Sequence, residues 1–587
     1  MSVATDPEPR ADPSNGAIAA ALDELGDLYE LDGAIVHRVV AYRSAARAVR
    51  DATVSVAALA RAGRATELPG IGRTLEQKIL DLITTGSIPA AAKLRARFPP
   101  GLIDLTRLPG LGPKRARRLF DELGIDSLDA LREAAEHQRL RELRGFGARF
   151  EEGVLAALAT GEGLRPAPRI LLNRALAMAE AIVDRLRAHP AAERVEVAGS
   201  ARRLTDSVKD LDLVAASPRP DELARALAHL DMIETSQATG PAGARARTHS
   251  GLTVELRVGA PEQFGNLLQH LTGSKAHNQA LREAAVRRGL HVSEYGILEA
   301  ATGVEHHHAR EEDVYAQLGL PYIEPELREN RGELEAAALP QLVTVDDLRG
   351  DLHSHTVASD GRNTIEQMAL AARDRGYEYL AVTDHSATHG FGNDVSPAEL
   401  EVQIERVHEV NARLEGIEVL AGSEVNILPD GALDYEDELL ARLDWVIASV
   451  HTAFSMSERA MTDRMLAAIE HPLVDAIGHP TGRLIDRRSP YALDIDRVIA
   501  AAARTGTMLE INGNPDRRDL NDVHARAAAR AGVRILIDSD AHGTNTLGMV
   551  RWSVATARRA WLTADQVVNT LPWDRFAPLR KRVRAAG

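Results

Sequence analysis

The stretch Asp351-Leu-His-Ser-His-Thr-Val-Ala-Ser-Asp-Gly361 brings two histidines and a carboxylate close together. His353 and His355 flank one serine, so on an extended strand both imidazoles point to the same face. Asp360 follows after a short polar loop. Imidazole with carboxylate is the donor set of a borderline or hard divalent cation. Downstream, apolar runs end repeatedly in another residue of ligand type. They are Tyr379-Leu-Ala-Val-Thr-Asp-His385, Ile417-Glu-Val-Leu-Ala-Gly-Ser-Glu424, Asp444-Trp-Val-Ile-Ala-Ser-Val-His451, Val474-Asp-Ala-Ile-Gly-His479 and Val533-Arg-Ile-Leu-Ile-Asp-Ser-Asp-Ala-His542. Short β-branched runs separated by helical patterning read as parallel strands with crossover helices. In a closed βα barrel, functional residues gather at the C-terminal ends of the strands. A satisfied polar side chain remains an alternative for any single member, Asp360 above all, but not for the whole series.

The HxH pair, the TDH turn, the strand-end glutamate, SVH, GHP and SDAH, in this order, resemble the polymerase and histidinol phosphatase (PHP) domain. The resemblance runs from about Leu348 to the C-terminus. It implies a distorted βα barrel around a metal cluster, commonly trinuclear. The implied ligands are His353, His355, Asp360, His385, Glu424, His451, His479, Asp540 and His542, with Glu424 as the bridging carboxylate. It also implies a Mn²⁺ or Zn²⁺ cluster and a phosphoesterase.

The elements that must carry such a site come from a chain of 587 residues, 44% hydrophobic, which is enough for several domains with their own cores. There are no cysteines. Thiolate sites and disulfides are excluded, any metal is held by nitrogen and oxygen, and a reducing cytoplasm fits. No apolar run is long enough to span a bilayer, so no membrane role is expected. The net charge of −15 is carried mostly beyond residue ~330, so it does not exclude nucleic acid as a partner of the N-terminal part. Residues 1–15 read as a disordered tail.

From Asn15 to about Ala52 the chain reads as helical, with Arg38, Arg43, Arg47 and Arg50 taken singly as solvating charges. Then a turn recurs: Leu68-Pro-Gly-Ile-Gly72, Leu108-Pro-Gly-Leu-Gly-Pro-Lys114 and a degenerate Leu143-Arg-Gly-Phe-Gly147. Gly70, Gly72, Gly110, Gly112, Gly145 and Gly147 permit a tight turn whose backbone N–H groups can hold a phosphate at the next helix. Lys114, Arg115, Arg117 and Arg118 supply countercharge. These repeats resemble the helix-hairpin-helix, which implies sequence-independent DNA-backbone binding.

Further on, Asp210 and Asp212 alternate on an expected strand, so both carboxylates face one side and suit Mg²⁺. Gly199, Ser200 and Arg203, just before them, suit a triphosphate, and Glu255 offers a further carboxylate. Together with Thr272-Gly-Ser-Lys-Ala-His-Asn278, Ser293-Glu-Tyr-Gly296 and Pro325-Glu-Leu-Arg-Glu329, the series resembles the nucleotidyltransferase palm of family X DNA polymerases. Hairpins, palm and PHP domain in succession resemble the bacterial branch of that family.

The resemblance implies a gap-filling polymerase with Asp210, Asp212 and Glu255 as catalytic carboxylates and Mg²⁺ or Mn²⁺ between them. It implies nucleotide contacts at Gly273, Ser274 and Asn278, and a Mn²⁺-dependent 3′→5′ exonuclease in the barrel. Gapped or recessed duplex DNA and dNTPs are the implied partners; no protein partner is readable. Lys78 matches a lysine that forms a Schiff base with an abasic 5′ end, although a phosphate-contacting or solvated lysine reads as well. The sequence departs from the family at Glu255, where Asp is usual, at His270-Leu271, where a Tyr-Phe pair is usual, and at Lys209, where Gly is usual. A PHP nuclease with a non-catalytic, gap-binding palm, or a small-molecule phosphatase, are the alternatives. His306-His-His308 reads as a solvent-facing loop, and Arg483 as either a phosphate clamp or a structural ion pair.

The expected architecture is multidomain α/β. An all-α helix-hairpin-helix region covers 16–165, an α+β palm with a thumb-like region covers 166–338, a linker spans 339–347, and a distorted βα barrel of PHP type covers 348–587.

Overall fold

A computed structural model describes residues 12–581 apart from 107, 109, 144, 160–168, 391 and 392. Of the expected tail, residues 1–11 lie outside the described residues, as does the expected boundary at 165/166. Residues 12–15 are ordered by polar contacts instead. Ser14 Oγ accepts from Ala17 N at 3.2 Å to cap the first helix. The buried Asn15 donates to Val54 O at 2.9 Å and accepts from Val56 N at 2.8 Å. Two compact units are present. One holds the described residues up to Ile170 with 177–197 and 209–261; the other holds 171–176, 198–208 and the described residues from Glu262 onward.

The first unit begins with helices. Helices α1 (Asn15–Leu31) and α2 (Val36–Asp51) bury Ile18, Leu22, Leu25, Tyr42 and Val49 on helical spacing in one apolar core. Arg43 pairs with Asp27 at 3.1 Å and with Glu30, and Arg50 pairs with Asp23, so these arginines solvate the helix surface. Gly72 caps α3 (Arg73–Thr85), Gly112 caps α4 (Pro113–Leu123), and Gly147 precedes α5 (Ala148–Ala159).

The same unit carries a five-stranded sheet of β1 (Arg194–Val197), β2 (Asp210–Ala216), β3 (Ile233–Ala238), β4 (Gly243–Thr248) and β5 (Thr253–Gly259). Its order is β1-β2-β5-β4-β3, antiparallel except for the parallel β2/β5 pair.

The second unit is dominated by seven parallel strands in sequential order. They are β6 (Gly350–Asp351), β7 (Tyr379–Val382), β8 (Glu418–Asn426), β9 (Trp445–Ser449), β10 (Ala476–Ile477), β11 (Met508–Asn512) and β12 (Ile535–Asp538). A parallel bridge between Ser354 and Ala541 joins the two ends of the sheet. Both faces are covered, which explains the almost unbroken apolar runs. One face packs on helices through Leu380, Val382, Val446 and Ala448. The other forms a smaller core of Tyr379, Leu420, Trp445, Ile447, Met508 and Leu536, into which Val568 and Phe576 insert. The segment 339–347, expected as a linker, is packed: Val343 is buried in the barrel core, and its N–H donates to Leu562 O at 2.9 Å. Its apolar Leu342-Val343 step divides between two cores, Val343 entering the barrel and Leu342 a cluster with Tyr315 and Leu327.

Candidate metal centre and nucleotide site

Towards the C-terminal ends of the barrel strands, inward positions change from apolar to acidic. Met508 is followed by Glu510 and Leu536 by Asp538 at one two-residue step of a strand, and Leu420 by Glu424 at two such steps. Glu424, 1% exposed, is the hub. His385 Nδ1 and His479 Nε2 lie 2.8 Å from its oxygens, His451 Nε2 lies 3.1 Å away, and His353 Nε2 lies 3.5 Å away. Asp540 Oδ1 is a second centre, 3.2 Å from His355 Nε2 and 3.7 Å from His353 Nε2. Asp360 meets His542 at 3.3 Å and His385 at 3.6 Å.

Three groups have donor atoms within 4.8 Å of one another: His355, Asp360, His385 and His542; His353, His355 and Asp540; His385, Glu424 and His451. All nine sequence-predicted ligands are thus brought together, with His479 joined through Glu424. His479 and Asp540 sit at φ of 30° and 54°. A left-handed conformation in a non-glycine residue costs about 1–3 kcal/mol and persists where the surroundings impose it.

The donor set fits cations. His353 Nε2, both ring nitrogens of His355, His451 Nδ1 and His479 Nδ1 are buried without a hydrogen-bond partner. Left so, each would cost about 1–3 kcal/mol. Burial opposes ionisation of Glu424, yet His451, His353 and His385 hold it well below the usual carboxylate range. Burial likewise opposes protonation of His353, but Glu510, Glu424 and Asp540 push it well above the usual imidazole value. Burial, with His385 and His542 nearby, draws His355 down to about 4. Imidazoles pushed in opposite directions around shared carboxylates form a set that protons alone satisfy poorly and divalent ions satisfy well.

In the palm, Asp210 and Asp212 alternate on β2 and are half-buried. Glu255 is the register partner of Asp212 on the parallel strand β5, so the three carboxylates share one face. Arg245 Nε reaches Glu255 at 3.4 Å. In the second unit, Gly199 opens α6 (Gly199–Arg202) at φ 62°, with Ser200 half-buried beside it. Arg203 is committed: Nε to Glu329 at 3.0 Å and Nη1 to Thr272 O at 2.8 Å. Ser274 Oγ caps the next helix from His277 N. Asn278 ties down the preceding turn, donating to His270 O at 2.6 Å and Gly273 O at 3.2 Å.

The three hairpin turns are one structure repeated. Gly70, Gly110 and Gly145 have φ of 79°, 77° and 93°. Ile71, Leu111 and Phe146 plug the core, each donating its N–H three residues back. A Cβ on Gly70, Gly72, Gly112, Gly145 or Gly147 would meet nothing within 4 Å, so these glycines serve backbone shape and close approach rather than internal packing. Arg115 braces the second hairpin to the third, donating to Gly110 O and Gly145 O at 3.0 and 3.3 Å. Arg117 and Arg118 are held by Asp121 and Glu122, while Lys114 is exposed. Lys78 is half-buried on α3.

Comparison with known proteins agrees with this layout. The chain matches family models described as helix-hairpin-helix domain over 13–88, SAM-like helix-hairpin-helix tandem over 102–160, DNA polymerase beta thumb over 267–329, and PHP domain over 351–514. It is 37% identical over 555 residues to "DNA polymerase/3'-5' exonuclease PolX" of Bacillus subtilis, covering 94% of this chain and 96% of the relative. The chain belongs to the bacterial family X DNA polymerases with a PHP domain. A "probable phosphatase" of Thermoanaerobacter is 34% identical over 238 residues, covering 38% of this chain and 89% of that protein. Membership of the PHP-bearing family X polymerases, with the barrel cluster, makes the chain a DNA-binding protein that depends on divalent metal.

Within this family X chain several polar residues escape a reading of motifs. Glu510, fully buried, accepts from His353 Nδ1 at 2.7 Å and His479 N at 2.5 Å. The bond fixes His353 with its proton on Nδ1 and its Nε2 lone pair towards Glu424 and Asp540. Its sequence signal was a carboxylate in the middle of the apolar run Met508-Leu-Glu-Ile-Asn512. Asp384, half of the TDH turn, orients the HxH loop by accepting from Thr356 N and Oγ1 at 2.7 and 2.6 Å. His389 stacks on His385 with ring centroids 4.2 Å apart. Arg483 takes the structural alternative, meeting Asp206 at 2.6 Å. His308, from the triple-histidine run, donates its backbone N–H to Asn266 Oδ1 at 2.7 Å, and its ring Nε2 meets Gln317.

Glu510→Gln is expected to lower metal affinity and nuclease rate together by about 10–100-fold, the range for losing a ligand-orienting carboxylate. Mn²⁺ titration and nuclease assay on the purified variant read both. An unchanged metal affinity would remove Glu510 from this role.

Proposed function

We propose that the chain is a DNA repair enzyme in which the palm fills gaps with dNTPs and the barrel cluster removes nucleotides from a 3′ end. The observation that carries it is the nine-residue cluster around Glu424, set at the strand ends of the barrel, in a chain that also carries three phosphate-type hairpins and a carboxylate face on the palm sheet. His353, His355, Asp360, His385, Glu424, His451, His479, Asp540 and His542 would hold Mn²⁺ or Zn²⁺. Asp210, Asp212 and Glu255 would hold Mg²⁺ or Mn²⁺. When bound, divalent ions supply Lewis acidity for water activation and charge opposite the scissile phosphate.

The chain's own residues do the rest. Glu510 and Glu424 fix the imidazole orientations, and the buried walls keep the donors from bulk water. The hairpin glycines leave room for a DNA backbone, and gapped or recessed duplexes are the substrates. Lys78 would serve either as a lyase nucleophile, the role the resemblance implies, or as a phosphate contact. No helix among the described residues is long and apolar enough to cross a membrane, and a cytoplasmic place of action accords with the DNA substrate.

The test uses a 5′-labelled primer on a one-nucleotide-gapped duplex with Mn²⁺ or Zn²⁺, with and without dNTPs. Primer shortening should be present in the wild type and lost in His353→Ala/His355→Ala, while extension survives. Shortening that persists in the double variant would place the nuclease elsewhere.

A second reading has one observation in its favour. Arg203, Asn278 and Glu255 all have protein partners, as they would in a palm that docks DNA gaps without catalysis. Extension assays on the palm carboxylate variants separate the two.

A further inference from the structure

Three arginines of the barrel grip four consecutive residues at the exit of the Gly199–Arg203 turn. Arg559 Nη1 donates to Arg203 O at 2.7 Å, and also to Glu329 Oε1, the carboxylate that holds the Arg203 side chain. Arg518 donates from its two Nη atoms to Leu204 O and Thr205 O, each at 3.0 Å. Arg483 Nη1 meets the Asp206 carboxylate at 2.6 Å. Arg518 is fully buried, and its Nε is satisfied by Thr556 Oγ1 at 2.9 Å. A buried guanidinium costs desolvation unless its donors are matched, and here they are matched to main-chain carbonyls of a turn distant in sequence. Leu204 at the centre of the grip has φ of 56°, a conformation its surroundings must impose.

The grip is joined to the metal-centre loops. His479 and Arg483 stand on the loop after β10, and Arg518 on the loop after β11. The two loops are sewn together by Asp519, which accepts from Thr481 N and Oγ1 at 3.0 and 2.9 Å, and by Glu510, which accepts from His479 N. The gripped segment then runs through Ser207 and Val208 directly into the strand bearing Asp210 and Asp212.

We propose that Arg483, Arg518 and Arg559 are positioning residues for the nucleotide-binding turn, so that the PHP barrel, besides its own chemistry, sets the affinity of the palm for an incoming dNTP. The proposal rests on the reading of Gly199–Arg203 as a triphosphate site. A bulky apolar residue at 559 would let the Arg203 carbonyl and the Glu329 carboxylate move together, whereas lysine would keep the charge and one donor.

The experiment titrates a fluorescent dATP analogue against full-length protein on gapped DNA with Mg²⁺, for wild type, Arg559→Met, Arg559→Lys and Arg483→Gln. Arg518 is left intact because its complete burial puts folding at risk. Nucleotide Kd should rise about tenfold in Arg559→Met, the scale of one charge-assisted hydrogen bond, and less in Arg559→Lys. Arg483→Gln should rise in the same direction. Exonuclease rate of Arg559→Met should stay at the wild-type level, while its thermal midpoint falls, because Glu329 and Asp522 lose a buried partner. An unchanged Kd in both the methionine and glutamine variants would overturn the inference while leaving the palm reading intact. Equal loss of binding and exonuclease would reduce the grip to a structural brace. Absence of nucleotide binding by the wild type would sink the palm reading and this inference with it.

Discussion

Glu424→Gln is expected to cut 3′-end removal from a recessed duplex by about 10²–10³-fold, the scale of deleting one group that faces developing charge in a closed site. The geometry makes Glu424 the most sensitive position of the cluster. Its two oxygens meet four imidazoles within 3.5 Å, and it is buried, so no water can replace the lost charge. Glutamine keeps the volume but offers one acceptor oxygen and an NH₂ aimed at ring nitrogens. Bound metal, measured on the purified protein, should fall in parallel, while gap filling is retained because the palm carboxylates are untouched. A variant that keeps more than a tenth of the nuclease rate and its full metal content would show that Glu424 is not the shared ligand.

The second large effect is expected in the palm. Asp210→Asn with Asp212→Asn should reduce primer extension by at least about 10²-fold, since two of three carboxylates on one sheet face lose their charge. Primer shortening in the same samples should continue at the wild-type rate. Glu255 cannot compensate: Arg245 holds it at 3.4 Å, and its extra methylene places its carboxylate further from the strand than those of the two aspartates. Extension that survives in the double variant would mean that the synthesis arises outside this face. No extension even by the wild type, on any gap, would instead favour the docking role.

The cluster was readable because its chemistry is local to strand ends. A histidine or carboxylate that closes a β-branched run has few structural uses, and five such endings after the His353/His355 pair pointed to one mouth. The hairpins were readable for a similar reason, since Gly-x-Gly constrains only its own turn. Even the degenerate Leu143-Arg-Gly-Phe-Gly147 adopts the shape of the other two.

What the sequence withheld are partnerships that form only in three dimensions. Arg483 stands beside the ligand His479 and could have faced substrate, yet Asp206, more than two hundred residues earlier, claims it. Arg203 looks free for a triphosphate until Glu329 is folded against it. Glu510 lacked a motif because its role is defined by the ring on the neighbouring loop, not by its own neighbours. Asn15 is polar and yet buried, satisfied by Val54 and Val56 from the far side of two helices, partners its own neighbours do not announce.

The bridge between Ser354 and Ala541 also bears on when the molecule becomes active. The first donors, His353 and His355, and the last, Asp540 and His542, belong to opposite ends of the barrel sequence and meet only when the sheet closes on itself. A polypeptide still being made, or cut short before its seventh barrel strand, lacks both the closing strand and the Asp540 carboxylate that His353 and His355 share. Immature and broken chains therefore carry an incomplete nuclease. Topology alone thus ties assembly of the cluster to completion of the barrel.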